Sequence, residues 1–405
     1  MAQWSPPPVE TTCYPRGFRA AATTCGIKPS ERPDLALIVS ETLSSAAAVF
    51  TPSRFAAAPV AVSRRHGHNG VRAVVASSGN ANACTGERGE RDAMAMCAAT
   101  ARAVGAAGPE EVMVCSTGVI GVPLPIERIE QGIAQAAEAL SATGWDDAAD
   151  AICTTDAFRK MVGRRWAVGE REVHLIGIAK GAGMIQPDMA TMLAFLATDA
   201  RVEATLLKPI LQNAVRRSFN SISVDGDMST NDTVILLANG AAVNEPIVAA
   251  TEATEQFDNA VCGVCTELAR MIVRDGEGAT KLVTLDVSGA RSDEQAHRAA
   301  RAVANSILFK MAILGEDPNW GRIAAALGAA EVEVHPDACS IAFEGTRVLD
   351  SGRLVNADAA KLAAVVKKPE FAIAIDLGTG GPGQATFWTC DISEAYMRFN
   401  ADYRT

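Results

Sequence analysis

Apolar residues recur along the chain in two patterns, short β-type runs and stretches with helical spacing. Strands are predicted from seven runs rich in Val, Ile and Leu: 71–75, 112–114, 173–178, 234–237, 282–287, 371–375 and 385–389. Helices are predicted from apolar spacing in 126–140 and 207–219, and a third is predicted over 293–309, with Ser292 as its N-cap. Strand runs that cluster near the C-terminus favour an α+β fold of layered sheets and helices over a doubly wound sheet.

Small polar residues are concentrated in five short segments, each next to an apolar strand. A single segment of this kind is most simply a turn, because Gly, Asn, Asp and Ser favour turn backbone geometries. Five such segments beside strands indicate loops that converge on one polar site. They are residues 77–82, 116–118, 154–156, 225–233 and 275–278.

Composition narrows the classes of function. The chain has 405 residues, 48% of them hydrophobic, and its 47 acidic and 37 basic residues give a net charge of −10. That balance argues against nonspecific nucleic-acid binding, which needs clustered positive charge. No run of eighteen apolar residues and no secretory signal is visible, so no membrane association is predicted. The ten scattered cysteines are interpreted as reduced thiols, and a cytoplasmic location is expected.

Several familiar catalytic motifs are absent from the sequence. The five histidines form no HExxH pattern, and no serine lies in a G-x-S-x-G turn. Cys262 and Cys265 form a CxxC pair without the second pair that a structural zinc site would need, so no metal is predicted. Threonine or lysine chemistry is what remains.

The segment KGAGMIQPDMATMLAF, residues 180–195, places a threonine at the head of an apolar run. Thr191 has two interpretations, a β-branched residue that begins a strand or a nucleophile. Threonine at a chain N-terminus carries its own base, an α-amino group with an ordinary pKa of about 7.7–8.0. Attack of the Thr191 hydroxyl on the Ala190 carbonyl, followed by hydrolysis of the ester, would expose that amine.

Six blocks in order resemble the ornithine acetyltransferase family, also called the bifunctional glutamate N-acetyltransferase and amino-acid acetyltransferase of arginine biosynthesis. The resemblance covers roughly residues 17–405, and the ending NADYRT is also similar to the family's. The blocks are SGNANACTG at 78–86, STGVIG at 116–121, KGAGM at 180–184, PDMATML at 187–193, DGEGATK at 275–281 and DPNWGR at 317–322.

The resemblance implies self-cleavage between Ala190 and Thr191 into an α chain, 1–190, and a β chain, 191–405, assembled as a heterotetramer of two α and two β chains. It implies acetyl transfer without a cofactor: N2-acetylornithine acetylates Thr191, ornithine leaves, and glutamate takes the acetyl group. Acetyl-CoA as a further acetyl donor is left open. The implied oxyanion-hole residues are Thr117 and Gly118, and the implied substrate-binding residues are Thr154, Lys180, Thr191, Glu277, Asn400 and Thr405.

Three other functions fit the same sequence. An N-terminal-threonine amidohydrolase or aminopeptidase would use water as the acceptor and release free acetate. A related acetyltransferase of a secondary-metabolite pathway would act on arginine-like precursors. A non-enzymatic amino-acid-binding protein would remain one chain of 42.3 kDa, in which Thr191 is only structural.

Overall fold

The structure, a computed structural model, describes residues 6–186 and 192–402. These residues form fifteen β-strands and eleven α-helices, and the strands separate into two mixed sheets. Helices pack against the sheets as separate layers rather than alternating regularly with parallel strands. The predicted α+β fold class is therefore confirmed.

The first sheet contains the strands of the N-terminal half together with two strands from the middle of the chain. They are β1 (Phe18–Thr23), β2 (Leu35–Phe50), β3 (Val71–Asn80), β4 (Val112–Val119), β5 (Lys160–Val168), β6 (Arg171–Lys180), β7 (Leu193–Thr198) and β9 (Thr233–Ala238). The strand order is β4-β3-β2-β9-β7-β6-β5, and β1 pairs with β2.

The second sheet is formed almost entirely by the C-terminal part of the chain. Its strands are β8 (Ile222–Ser223), β10 (Leu282–Ala290), β11 (Ser340–Phe343), β12 (Thr346–Asp350), β13 (Arg353–Leu354), β14 (Glu370–Asp376) and β15 (Gly383–Cys390). Their order is β13-β12-β11-β14-β10-β15-β8.

The helices cover both sheets. They are α1 (Ala58–Arg65), α2 (Gly86–Val104), α3 (Ile126–Glu138), α4 (Trp145–Ile152), α5 (Ala204–Arg217), α6 (Glu252–Arg274), α7 (Asp293–Asn305), α8 (Ile307–Leu314), α9 (Trp320–Gly328), α10 (Ala359–Val366) and α11 (Glu394–Asp402). Among the described residues, no helix is both long enough and apolar enough to cross a bilayer.

The sequence predicted most of these elements, with one error. All seven predicted strands lie within observed strands, and the first two predicted helices correspond to α3 and α5. The helix predicted over 293–309 is wrong, because the chain forms two helices there, α7 and α8. Ser306 separates them and caps the second, since its hydroxyl accepts a hydrogen bond from the Phe309 N–H at 3.3 Å. Ser292 caps α7 as predicted, through the Gln295 N–H at 3.4 Å.

One continuous core connects the two sheets. Helices α5 and α6 pack against the first sheet through apolar residues such as Leu211 and Leu268. The same cluster includes Ile222, Leu282 and Trp388 of the second sheet. The far face of the second sheet packs against α7, α8, α9 and α10 in a cluster of its own. The apolar core therefore extends from one sheet into the other.

The boundary predicted between the two chains falls between neighbouring strands of the first sheet. Strand β6 lies before residue 190 and β7 after it, and they pair antiparallel, with Lys180 opposite Leu193. Strand β2 likewise pairs with β9 from the later segment. Ala190 and Thr191 lie outside the described residues, and the division into chains 1–190 and 191–405 stays a prediction.

Candidate functional site

A polar cavity of about 120 Å³ lies where the ends of first-sheet strands meet the C-terminal helix α11. We call it the polar pocket. All five polar segments identified in the sequence contribute to its wall, so the predicted convergence of these loops is confirmed. The lining residues are Ala81, Thr117, Gly118, Ile120, Thr154, Thr155, Lys180, Gly183, Met184, Asp225, Asp227, Ser229, Thr230, Asn231, Glu277, Tyr396 and Asn400.

Thr117 and Gly118 reach the polar pocket at the end of β4. Strand β3 runs parallel beside them, with Gly79 opposite Gly118. Gly118 has a φ of +128°, and a Cβ there would lie 2.3 Å from the Gly79 carbonyl carbon. Only glycine fits this position, because a side chain would collide with backbone atoms that cannot move aside. The close approach of β3 and β4 thus fixes the backbone beside Thr117, which is almost fully buried.

Lys180 ends β6 and is buried, with 3% of its surface exposed. Its ammonium group lies 3.4 Å from the Thr117 hydroxyl, to which it donates a hydrogen bond. A lysine at the end of a strand is ordinarily exposed, so this burial is unusual for the residue type. The contact places a positive charge directly beside the proposed oxyanion-hole hydroxyl, where it would favour a developing negative charge.

Three buried charged groups lie beneath the polar pocket. The Lys160 ammonium donates to Asp156 Oδ1 at 2.7 Å and to Asp275 Oδ2 at 2.6 Å. Asp156 also accepts hydrogen bonds from the N–H groups of Thr154, at 2.9 Å, and Gly181, at 2.7 Å. Thr154 lines the polar pocket and Gly181 directly follows Lys180, so this buried network touches two parts of the wall.

The two carboxylates of this network have opposite pKa shifts. Burial raises the pKa of Asp156, but Lys160, Lys180 and the Gly181 N–H outweigh burial and hold the pKa below its ordinary value. Burial raises the pKa of Asp275 to about 6, although Lys160 opposes the rise. Burial lowers the pKa of Lys160, but the two carboxylates outweigh it and raise the pKa. Asp156 and Lys160 are therefore a charged pair at neutral pH.

Another part of the lining of the polar pocket is acidic. Glu277 accepts a hydrogen bond at 2.9 Å from the side-chain amide of Asn400 in α11. Tyr396, one helical turn earlier, donates its hydroxyl to Asp225 Oδ2 at 3.3 Å. Asp225 in turn accepts from the Met184 N–H at 2.6 Å. Helix α11 is thus held to the wall by two polar contacts on one of its faces.

Asp232 contacts Met192, the residue that follows Thr191 in the sequence. Its Oδ1 accepts a hydrogen bond from the Met192 N–H at 3.0 Å, and Met192 is the next residue after Thr191. Oδ2 is buried and has no hydrogen-bond partner among residues 6–186 and 192–402. Burial raises the pKa of Asp232 well above its ordinary value, against the Met192 N–H and Lys180. Burial therefore disfavours the charged form of this carboxyl group.

Most of the predicted site residues lie together. Thr117, Gly118, Thr154, Lys180, Glu277 and Asn400 all line the polar pocket. Ala190, Thr191 and Thr405 lie outside the described residues, and the individual roles assigned to all nine stay predictions. In the part of the chain that the structure describes, no group of three His, Cys, Asp or Glu residues is arranged to hold a metal ion.

Sequence reasoning missed several residues of the wall. Asp225 was recognised only as part of a polar segment, and Tyr396 was not singled out. The signal for Tyr396 was its spacing, because residues four apart share one face of a helix and Asn400 was already a candidate. Behind the wall, Asp275 was recognised only as part of the polar segment 275–278, and its pairing with Lys160 had no sequence signal, since 115 residues separate the two partners.

Comparison with known proteins gives close relatives over nearly the whole chain. Residues 19–405 match the ArgJ family. An "Arginine biosynthesis bifunctional protein ArgJ" from Geobacter sulfurreducens is 48% identical over 392 residues, which cover 96% of this chain and 99% of that protein. A mitochondrial protein of the same name from Neurospora crassa is 44% identical. That match covers 97% of this chain and 89% of the other protein.

Solved structures of similar sequence cover about half of this chain. Arginine biosynthesis bifunctional protein argJ from Bacillus halodurans is 36% identical, with a TM-score of 0.49, over 51% of this chain and 96% of that one. Ornithine acetyltransferase from Mycobacterium tuberculosis, solved with ornithine, is 40% identical, with a TM-score of 0.39. The match covers 43% of this chain and 92% of that one.

Proposed function

The chain belongs to the ArgJ family, and on that premise we propose that its polar pocket transfers acetyl from N2-acetylornithine to glutamate. The chain is thus an acyltransferase of arginine biosynthesis that acts on small molecules. One observation carries the assignment to this pocket: six of the residues proposed for the reaction, which come from distant parts of the sequence, line one cavity.

The reaction begins with a cut that the chain makes in itself. The Thr191 hydroxyl attacks the Ala190 carbonyl, the peptide C–N bond breaks, and the acyl group moves from nitrogen to oxygen. Water then hydrolyses the ester, which leaves a carboxylate on Ala190 and a free α-amine on Thr191. One contact supports this position of the cut. The Met192 N–H, one residue after Thr191, donates a hydrogen bond to Asp232, and Asp232 directly follows Asn231, which lines the polar pocket.

Acetyl transfer follows in two steps at the same hydroxyl. The Thr191 oxygen attacks the acetyl carbonyl of N2-acetylornithine while the Thr191 α-amine accepts the hydroxyl proton. The tetrahedral oxyanion is stabilised by the Thr117 hydroxyl and the Gly118 N–H, with the Lys180 charge nearby. Collapse breaks the C–N bond, and the proton passes to the departing amine of ornithine. The glutamate amine then attacks the acetyl ester and regenerates the Thr191 hydroxyl.

The charges around the polar pocket match amino-acid substrates. Lys180 supplies a cation for a substrate carboxylate, and Glu277, Asp225 and Asp227 supply acidic groups in the same lining. Ornithine carries a carboxylate and a cationic tail, so it can pair with both kinds of charged group. Glutamate has no cationic tail, so we expect its binding to depend more strongly on Lys180.

We also propose the further properties that the family resemblance implies. The curated relatives are called bifunctional, which supports acetyl-CoA as a second acetyl donor to glutamate. The other properties are a heterotetramer of two α and two β chains, a cytoplasmic location and catalysis without a cofactor. The strand pairing between β6 and β7 supports fragments that stay associated after the cut.

The decisive experiment measures the denatured mass of the purified wild-type protein and of Thr191→Ala and Thr191→Ser variants. The wild type should give two fragments, the second beginning at Thr191, and should gain one acetyl group when incubated with N2-acetylornithine alone. Thr191→Ala should remain one uncut chain. Thr191→Ser keeps a hydroxyl and should still cut. One intact chain in every sample would overturn the proposal and leave Thr191 a structural residue.

The acceptor is identified in the same preparation. Acetylglutamate should form only when glutamate is present, from N2-acetylornithine and, for a bifunctional enzyme, from acetyl-CoA. Free acetate without a glutamate requirement would instead establish an amidohydrolase. Transfer to an arginine-like acceptor in preference to glutamate would place the enzyme in a secondary-metabolite pathway.

A further inference from the structure

The buried Lys160 network connects three separate parts of the polar pocket. Side chains of Asp156 and Lys160 have no exposed surface, and that of Asp275 is 3% exposed. None of the three residues lines the cavity, so none is placed to touch a substrate. They lie behind the wall and act on it through backbone hydrogen bonds.

Each carboxylate of this network holds backbone next to a proposed substrate-binding residue. Asp156 accepts the N–H of Thr154 itself and the N–H of Gly181, the residue after Lys180. Asp275 accepts the Ala157 N–H at 3.0 Å and lies two residues before Glu277. Lys160 joins the two carboxylates and therefore joins the segments that carry Thr154, Lys180 and Glu277.

Stability alone is a weak explanation for such a network. Removing three charges from water costs several kcal/mol per ion, and buried ion pairs are often replaceable by apolar residues without loss of stability. Ionised groups do, however, impose direction and distance, because each carboxylate oxygen accepts strong hydrogen bonds from defined donors. A network of this kind is best explained by the geometry that it imposes.

We propose that Lys160 is a positioning residue for acetyl transfer, which holds the segments of Thr154, Lys180 and Glu277 in register by bridging Asp156 and Asp275. This role rests on the proposed function of the pocket. Lys160 and Asp156 precede residue 190 and Asp275 follows it, so the bridge also joins the two proposed chains after cleavage. Its partners are thus covalently separate in the mature enzyme.

The test compares Lys160→Met with Lys310→Met, a matched loss of a buried lysine whose hydrogen bonds go to Thr389 and Cys390 and not to segments that line the polar pocket. Kinetic constants are measured with N2-acetylornithine and glutamate, and amide hydrogen exchange is measured for the 154–157 segment and Gly181. Lys160→Met should raise KM for N2-acetylornithine by at least about tenfold, with a smaller fall in kcat, because the binding groups move apart. It should also speed exchange of the Thr154, Ala157 and Gly181 amides. Lys310→Met should leave KM within about twofold.

Two further variants keep the proposal open to refutation. Lys160→Arg retains the charge and should recover part of the wild-type KM. Asp275→Asn keeps the shape of the side chain and an acceptor oxygen, and should raise KM by less than Lys160→Met does. It takes the place of Lys160→Met as the test variant if Lys160→Met folds poorly. Wild-type KM and wild-type exchange in both Lys160→Met and Asp275→Asn would overturn the proposal. An inactive wild type would refute the proposed function instead, and the exchange data would still decide whether Lys160 orders these segments.

Discussion

Lys160 and Lys310 have the smallest exposed fractions among the buried lysines, 0% and 1%, and their surroundings differ. Lys160 begins β5 in the first sheet, next to the polar pocket, and lies between two carboxylates. Lys310 lies in α8 over the second sheet and donates to the Thr389 hydroxyl at 2.7 Å and the Cys390 carbonyl at 2.8 Å. Burial lowers the pKa of both ammonium groups. Only at Lys160 do neighbouring carboxylates reverse the effect and raise the pKa.

The difference shows what each region requires. Lys310 is bound by neutral oxygens, its neighbours Phe309 and Ile313 in α8 belong to an apolar cluster, and Asp225 and Asp391 act on its charge without reversing the effect of burial. The first sheet keeps a full positive charge in its interior and uses it to connect loops that line the polar pocket. Carboxylates thus hold the buried charge of Lys160 in place at the site, whereas neutral oxygens bind Lys310.

The largest effect is expected from a matched pair of threonines, one in each region. Thr117→Val removes the hydroxyl that Lys180 contacts at the polar pocket and should lower kcat by about 10²–10³-fold, as the loss of an oxyanion donor does. Thr389→Val removes the hydroxyl that Lys310 contacts and should lower the melting temperature while kcat changes little. Steady-state kinetics and thermal melts decide. Similar losses of kcat in both variants would remove the functional distinction between the regions.

Alkaline titration should separate the two lysines themselves. The folded pKa of Lys160 lies above the ordinary 10.5, so its contribution to stability is complete below pH 10.5 and is lost at higher pH. The folded pKa of Lys310 lies below 10.5, so its unfavourable contribution disappears as the pH rises towards 10.5. We therefore expect opposite trends when wild type is compared with Lys160→Met and Lys310→Met.

The measurement is the melting temperature from about pH 8 to about pH 11. The advantage of the wild type over Lys310→Met should grow as the pH rises. Its advantage over Lys160→Met should stay constant at first and shrink above pH 10.5. Parallel curves for the two variants would mean that both lysines have the same charge state.

A smaller effect on stability is expected at acidic pH for the two carboxylates that pair with Lys160. Asp275 has a folded pKa of about 6, above the ordinary 3.8, so its contribution to stability is present below pH 3.8 and is lost as the pH rises through 6. The stability difference between wild type and Asp275→Asn should therefore shrink as the pH rises. Asp156→Asn is the control with the opposite sign, because the folded pKa of Asp156 is lowered and its contribution is lost as the pH falls. Urea denaturation tests Asp275→Asn between pH 3.8 and about 6 and Asp156→Asn below pH 3.8.

The smallest effect belongs to an exposed ion pair. Arg398 and Glu394 pair at 2.6 Å on α11, with side chains 76% and 72% exposed. Arg398→Ala should change the free energy of unfolding by less than about 1 kcal/mol and leave KM unchanged, because water and salt screen such pairs. A loss of stability as large as that in Lys160→Met would show that buried and exposed ion pairs of this protein contribute equally.

Local sequence patterns predicted the strands and the polar loops because both have short-range signatures. Alternation and apolar runs located β3, β4 and β6, and clusters of Gly, Asn and Asp located the loops that line the polar pocket. The break between α7 and α8 was missed because the apolar pattern continues across Ser306, whose capping role depends on the backbone turning there. Residues far apart in sequence that meet through folding have no such signature.

The burial of Lys180 and the pairing of Lys160 with Asp275 illustrate that limit. A lysine at a strand end is ordinarily exposed, and only the tertiary structure shows Lys180 enclosed beside Thr117. Similarly, nothing in the spacing of Lys160 and Asp275 indicates that they meet. The family resemblance assigned roles to Thr154, Lys180 and Glu277, and it gave none to Asp275, although one of its blocks begins at that residue.

The strand order of the first sheet has a consequence for the order of folding and cleavage. Strands β2 and β6 of the earlier segment flank β9 and β7 of the later one, so neither segment can complete its hydrogen bonding alone. For the proposed cleavage this means that assembly would precede scission, and the bond before Thr191 would tether the two segments during folding. Two polypeptides made from separate genes would each present unpaired strand edges, which favour aggregation before the halves could meet.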